Sequence, residues 1–136
     1  MLIVIPGKPF AKQRPRATRQ GHVFTPKETV RFEQAVAAIA AETLSAPLVG
    51  PVRVTIQAFF EPPASWPRKR RLRMRGQPHV QRPYLDNIVK AITAGLNRIA
   101  YADDGQIAVV MARKLWGAEA KTTVQIEPLC GTTDAR

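Results

Sequence analysis

The sequence predicts a single α+β domain with a mixed β-sheet and two main helices, in the order β-α-β-α-β-β. Short strand-like segments, either apolar throughout or alternating, are separated by two stretches with helical periodicity. The length of 136 residues suits one domain, and no repeat or linker divides it. We expect the domain to span residues 1–127 and a polar, flexible tail to span residues 128–136.

Four segments have the pattern of strands. Leu2 to Ile5 is a short apolar run that ends at a Pro-Gly pair, and Val52 to Phe60 alternates between apolar and polar residues. Gln106 to Trp116 and Lys121 to Glu127 follow near the C-terminus. Residues 117–119, Gly-Ala-Glu, separate these last two segments and predict a β-hairpin turn.

Two segments have the pattern of helices. Thr25-Pro26-Lys27-Glu28 predicts a helix start in which Thr25 caps the helix and Glu28 completes a capping box. This helix should run to about Leu44. The second helix should begin near Asp86, and its core stripe consists of Ile88, Ile92, Leu96 and Ile99.

The charge indicates a polyanionic partner, since a net charge of +11 brings repulsion to a compact fold. Much of it lies in two proline-rich segments that predict loops. These segments should contact DNA phosphates. The candidate DNA-binding residues are Lys8, Lys12, Arg14, Arg16, Arg68, Lys69, Arg70, Arg71, Arg73 and Arg75.

Several other functions have no support in the sequence. No apolar run approaches the length of a membrane span. Cys130 is the single cysteine, which fits a reducing compartment, and we expect a cytoplasmic protein. His22 and His79 lack the spacing of a zinc site.

Three carboxylates and one lysine are candidates for catalysis. Asp86 and Lys90 lie four residues apart, on the side of the predicted helix opposite its core stripe. Asp103 and Asp104 form a turn that could return to the same helix end. Carboxylates hold Mg²⁺ beside a phosphate, and a lysine stabilises developing negative charge. Each residue also has a structural alternative: a helix cap for Asp86, turn formers for Asp103 and Asp104, and a solvated side chain for Lys90.

These residues resemble the signature of the RusA-type Holliday junction resolvases. The resemblance rests on RPYLDNIVKAITAGLN followed by YADDGQI, and on the upstream segments GKPFAKQRPR, HVFTP and PASWP. It spans about residues 5 to 127, and the upstream segments are similar to the phage-type branch.

The resemblance implies roles for the four candidate residues. Asp86 and Asp104 would be metal-binding carboxylates with Asp103 beside them, and Lys90 would be the catalytic lysine. It also implies a homodimer that cuts opposing strands of a four-way DNA junction, using Mg²⁺ or Mn²⁺.

One position departs from the family pattern, because Tyr84 stands where the family has the first aspartate of an Asp-x-Asp pair. Tyrosine is neutral near pH 7 and a poor Mg²⁺ ligand. Glu61 is the nearest candidate for a replacement carboxylate. Three hypotheses therefore stay open: a metal-dependent junction endonuclease, a non-catalytic DNA-binding protein with the same fold, and a basic RNA-associated protein.

Overall fold

The computed structural model describes residues 1–129 and has the expected α+β architecture, with a mixed sheet. The helices pack on one face of a four-stranded sheet. The elements in chain order are β1 (Leu2–Pro6), β2 (Arg16–Ala17), β3 (Val23–Phe24), α1 (Lys27–Thr43), β4 (Val52–Phe60), α2 (Arg68–Met74), α3 (Leu85–Leu96), a 3₁₀ turn (Asp104–Gln106), β5 (Ile107–Trp116) and β6 (Lys121–Pro128).

The sheet has the strand order β1-β6-β4-β5. β4 pairs with β5 in parallel and with β6 antiparallel, while β1 and β6 are antiparallel. The prediction of a β5–β6 hairpin is therefore wrong, because β4 lies between the two strands. Their connection crosses the end of β4, where Gly117 donates its N–H to the Phe60 carbonyl at 2.9 Å. A Cβ on Gly117 would lie 3.1 Å from the Cβ of Phe59, so this crossing favours glycine.

The core lies between the sheet and the two long helices. Alternate residues of β4, from Val52 to Phe60, are buried against them. α3 lies close to α1 at Gly95, where a Cβ would come within 2.7 Å of the Cβ of Val36. The opposite face of the sheet carries the partly exposed residues of β4, so helices cover the sheet on one side only.

α1 ends as predicted, just before Leu44, but its start differs from the prediction. Pro26 occupies the N-cap position, and no side chain caps the helix. Thr25 is not the cap. The threonine with the structural role is the buried Thr29, whose hydroxyl donates to Gln13 Oε1 at 3.2 Å and accepts from Gln13 N–H at 3.3 Å.

Both basic segments contain regular structure that the sequence did not predict. The N-terminal segment forms the short β2–β3 ribbon. The second segment contains α2, which begins after Pro67. Proline lacks an N–H, and the first turn of a helix leaves its N–H groups unpaired in any case. Pro67 and Pro78 therefore lie on either side of α2 without interrupting it.

The last strand ends one residue beyond its predicted end at Glu127. β6 continues to Pro128, and the Leu129 N–H donates to the Pro51 carbonyl at 2.9 Å. Cys130 and the rest of the predicted tail lie outside the described residues. No helix within residues 1–129 has the length and apolar character needed to cross a membrane.

Candidate active site and nucleic-acid surface

The exposed face of α3 carries two of the candidate catalytic residues. α3 buries Ile88, Ala91, Ile92, Gly95 and Leu96 against the core. Asp86 and Lys90 are both exposed on the opposite side of the helix. The structure thus has Asp86 and Lys90 on the side of the helix opposite its buried residues, as the sequence predicted.

Asp86 lies in the first turn of α3 and is not the helix cap. Tyr84 occupies the N-cap position and makes no side-chain cap hydrogen bond. Asp86 Oδ1 accepts a hydrogen bond from the Asn87 N–H at 2.9 Å. The carboxylate thus faces solvent beside the partial positive charge of a helix N-terminus.

Asp103 has a structural role in the turn before β5. Its Oδ2 accepts from the Gly105 N–H at 2.8 Å, and the side chain of Gln106 completes the capping box. Gln106 also donates to the carbonyls of Leu48 and Gly50, at 3.0 and 2.9 Å. This network fixes the turn to the segment before β4, and it favours the turn-forming alternative for Asp103.

Asp104 lies beside a buried tyrosine that joins it to α3. The Tyr101 hydroxyl donates to the Thr93 carbonyl at 3.1 Å. Burial raises the pKa of Tyr101 well above its ordinary value, and the negative charge of Asp104 raises it further. Asp104 therefore lies near the Tyr101 hydroxyl, which contacts α3 at Thr93, one helical turn beyond Lys90.

The predicted convergence of three carboxylates is absent within residues 1–129, where no three Asp, Glu, His or Cys side chains form a metal-sized group. With a rise of 1.5 Å per residue, Asp86 and Thr93 are separated by about 10 Å along the axis of α3. Lys90 therefore lies between the two carboxylates along the helix. Asp86 and Asp104 each supply hard oxygen ligands suited to Mg²⁺, which binds proteins through one or two carboxylates and keeps several waters.

Glu61, the candidate replacement carboxylate, lies far from Asp104. The pairing of Val52 with Ile107 and of Phe60 with Trp116 puts Asp104 at the start of β4 and Glu61 beyond its other end. At about 3.3 Å per residue, β4 alone separates them by roughly 26 Å.

A shallow cleft of about 520 Å³ opens beside the first turn of α3, and we call it the Tyr84 cleft. Its lining residues are Lys8, Ala11, Arg82, Pro83, Tyr84 and Asn87. The Tyr84 side chain is 58% exposed, and the Arg82 guanidinium lies 5.7 Å from its ring centroid. Tyr84 is therefore not buried against Pro83, as a purely structural role would require.

Lys114 and His79 support this region and were not among the predicted site residues. The Lys114 ammonium donates to the carbonyls of Gln81 and Pro83, at 2.5 and 2.7 Å. Partial burial lowers the pKa of Lys114. Burial also lowers the pKa of His79, and the neighbouring charges of Lys114 and Lys8 lower it further. The sequence gives one indication of the role of Lys114. Side chains alternate along β5, so Lys114 lies on the same face as the buried Trp116.

α2 carries an exposed arginine surface next to the connection between β5 and β6. Arg68, Arg71 and Arg75 line a cleft of about 380 Å³ between α2 and the β5–β6 connection. Arg70 lies over the Trp66 ring at 3.9 Å, and α2 has no buried residue. Lys69 and Arg73 are also exposed.

The N-terminal cations differ in their surroundings. Lys8 lines the Tyr84 cleft, and Arg14 and Arg16 are exposed. Lys12 forms an ion pair with Glu33 at 3.6 Å, and its backbone N–H donates to the Asn87 carbonyl at 2.9 Å. The charge of Lys12 is thus partly neutralised within the protein, and its backbone fixes the N-terminal segment to α3.

A comparison with protein families identifies the relatives of this chain. The family model for the endodeoxyribonuclease RusA matches residues 6–127, which include the α3 face and both basic segments. The chain belongs to the RusA endodeoxyribonuclease family. It is also similar to the uncharacterized protein YqaN of Bacillus subtilis (strain 168), with 28% identity over 128 residues, covering 88% of this chain and 90% of that protein.

Membership of this family indicates a nuclease that acts on DNA and is associated with Holliday junctions. The matched region contains the whole of α3 and the Asp103–Asp104 turn. The RusA resemblance predicted from the sequence is confirmed, and the polyanion that the net charge required is DNA.

Proposed function

We propose that this protein is a Mg²⁺-dependent endonuclease that resolves four-way DNA junctions in the cytoplasm, with Mn²⁺ as a substitute metal. The observation that carries the proposal is the exposure of Asp86 and Lys90 on α3, with Asp104 in the turn that follows, in a member of the RusA family. Basic residues of the two basic segments supply the affinity for phosphates.

Each residue of this face has a separate part in the proposed chemistry. Asp86 and Asp104 are the carboxylates that would bind the metal ion, which would activate a water and polarise the scissile phosphate. About 10 Å of α3 separates them in one chain, so both could bind the same ion only across the dimer described below. Lys90, exposed between them, stabilises the negative charge that builds on the phosphate oxygens. Asp103 fixes the backbone of the turn that carries Asp104.

A homodimer is the second part of the proposal, and the outer edge of β5 is its interface. β5 is an edge strand on which Val109, Val110 and Met111 are 37, 43 and 58% exposed. Because neighbouring residues point to opposite faces of the sheet, apolar side chains are exposed on both faces. An apolar edge of this kind is a template for pairing with another strand.

Part of the outer edge of β5 is covered by other residues of the chain, and this limits which residues could pair in a dimer. Residues 76–79 hydrogen-bond to Lys114 and Trp116, so the remaining outer edge runs from Ile107 to Arg113. Antiparallel pairing of this segment with itself is centred on Val110. In this pairing, the Asp104 turn of one copy points toward one end of the second copy's sheet, the end at which α3 of that copy begins. Carboxylates that are two helical turns apart in one chain would then meet across the dimer.

The basic segments bind the DNA backbone in this proposal. The cleft formed by Arg68, Arg71 and Arg75 contacts phosphates, and the log of the affinity should fall by about 0.9 per log unit of salt for each phosphate neutralised. Arg14, Arg16, Lys69 and Arg73 add exposed charge. Lys12 contributes less, because Glu33 pairs with it.

A non-catalytic junction-binding protein is the alternative, and Tyr84 is the observation that favours it. Tyr84 stands in place of the family's first aspartate and directly precedes the turn that carries Asp86. A site with one carboxylate fewer binds Mg²⁺ more weakly, since each carboxylate supplies charge as well as a ligand.

The deciding experiment incubates the protein with an end-labelled four-way junction and Mg²⁺, with a linear duplex as the substrate control. Paired nicks that resolve the junction support the nuclease. A shifted but uncut junction supports the binding-only alternative, and cleavage gained by Tyr84→Asp would then identify Tyr84 as the cause.

The dimer is tested separately by multi-angle light scattering. Val110→Arg should convert the protein to a monomer that no longer cuts. Leu2→Lys changes an exposed residue of the other edge strand and is the matched control. Dissociation by Leu2→Lys alone would assign the interface to β1 instead.

A further inference from the structure

We propose that the Tyr84 cleft takes up one unpaired DNA base next to the scissile phosphate, with the Tyr84 ring as the surface on which that base stacks. This inference rests on the proposed function, and it names the part of the substrate that the cleft recognises. It also gives Tyr84 a role that an aspartate at this position could not have.

The Tyr84 ring is presented to solvent on a restrained backbone. Its side chain is 58% exposed at the N-cap of α3. Pro83 precedes it, and the Lys114 ammonium holds the Pro83 carbonyl at 2.7 Å. Because the backbone is restrained, stacking of a base on the ring has to fix only the side-chain torsions of Tyr84.

The remaining walls of the cleft suit the other parts of a nucleotide. Lys8 and Arg82 are cations that suit a phosphate, and the Asn87 side chain carries both a donor and an acceptor for a base edge. The lining residues include no carboxylate. A volume of about 520 Å³ lies within the usual range for small-ligand sites.

An unpaired base fits this cleft better than a base pair. Both faces of a base within a duplex are covered by its neighbours, so an aromatic side chain can stack only on a base that has left the stack. The branch point of a four-way junction is where stacking is interrupted. Since Asp86 follows Tyr84 by two residues, a base held in the cleft places its own phosphodiester beside the candidate catalytic face.

The test measures binding without divalent metal, so that no strand is cut. Four-way junctions are prepared with an abasic site at each branch-point nucleotide in turn and compared with the intact junction. Wild-type protein should lose about 5- to 150-fold in affinity when the stacked base is removed, the range expected for base–aromatic stacking. Tyr84→Ala should bind intact and abasic junctions equally, whereas Tyr84→Phe should keep the difference.

Val80→Ala is the matched control, since Val80 is 88% exposed in the same loop and does not line the cleft. Equal wild-type affinity for all intact and abasic junctions would overturn the inference, as would a Tyr84→Ala defect of the same size on both. A duplex with a one-base bulge, intact or abasic, separates this inference from the proposed function. If the protein prefers the intact bulge to the abasic bulge but does not bind junctions, the base site is supported and the junction function is rejected. If it binds junctions but does not distinguish intact from abasic DNA, the junction function is supported and the base site is rejected.

Discussion

Gln106 is expected to control both the stability of the turn before β5 and the position of Asp104. Its side-chain carbonyl accepts from the N–H groups of Ala102 and Asp103 at 2.8 and 3.1 Å. Its amide donates to Leu48 and Gly50 at 3.0 and 2.9 Å. Gln106→Ala removes all four hydrogen bonds and keeps only the backbone bond from the N–H of residue 106 to the Asp103 carbonyl.

The size of the effect follows from these four bonds. Each intramolecular hydrogen bond contributes about 0.5–1.5 kcal/mol net to stability. The two bonds to Ala102 and Asp103 are exposed, and water can replace them at little cost. The two partly buried bonds to Leu48 and Gly50 dominate, so Gln106→Ala should lower the free energy of unfolding by about 1–3 kcal/mol.

The assay combines urea unfolding with junction binding and cleavage. Under conditions in which the variant stays folded, we expect slower cleavage with nearly unchanged junction affinity, because the displaced group is Asp104 and not a DNA-binding cation. Gln125→Ala, in an exposed position of β6, is the matched control. A loss below about 0.5 kcal/mol for Gln106→Ala, within the range of ordinary surface substitutions, would refute this account of the turn.

Three further predictions concern other residues. Asp104→Asn should abolish cleavage and keep most of the junction affinity in a gel-shift assay. Glu42→Gln, at an exposed position near the end of α1, should leave both unchanged, and equal cleavage loss in the two variants would contradict the assignment. Folding lowers the pKa of His79 below its ordinary 6.5, so the unfolded chain takes up a proton first as the pH falls. The stability that is present above pH 6.5 is therefore lost at lower pH. Thermal unfolding between pH 7.5 and 5 should show a smaller loss of stability for His79→Phe than for the wild type. Gly95→Ala should lower the free energy of unfolding by about 1–3 kcal/mol, although alanine has the better helix propensity. The reason is that the added Cβ would lie 2.7 Å from the Cβ of Val36. A variant that is more stable in urea would show that α1 and α3 can separate.

The elements with long periodic patterns could be predicted from the sequence, and those that depend on distant partners could not. α3 was predicted because its core stripe repeats over three turns. The hairpin prediction failed because a short Gly-containing connection looks the same whether it joins paired strands or crosses over β4. α2 was missed because Pro67 was treated as a helix breaker, although it precedes the first turn.

The candidate site could be predicted only in part, for a related reason. The family motif located Asp86, Lys90 and Asp104, but no motif gives the distance between a helix face and a later turn. Tyr101 sets that distance by reaching Thr93, and its role depends on burial that appears only in the folded chain. Lys114 was missed because its hydrogen-bond partners are backbone carbonyls, and the sequence does not show which backbone groups a side chain contacts.

The pairing of the first strand with the last has a consequence for how the protein is made. Leu2 lies opposite Gln125, so β1 has no partner until β6 has been synthesised. Contacts between residues so far apart in sequence form late in folding, since a long loop must close first. The segment after β1 carries Lys8 and forms one wall of the Tyr84 cleft. A nascent or truncated chain without β6 contains α3 and Asp86, but β1, which leads into Lys8, has no partner strand, so the Tyr84 cleft should be completed only when synthesis is nearly complete.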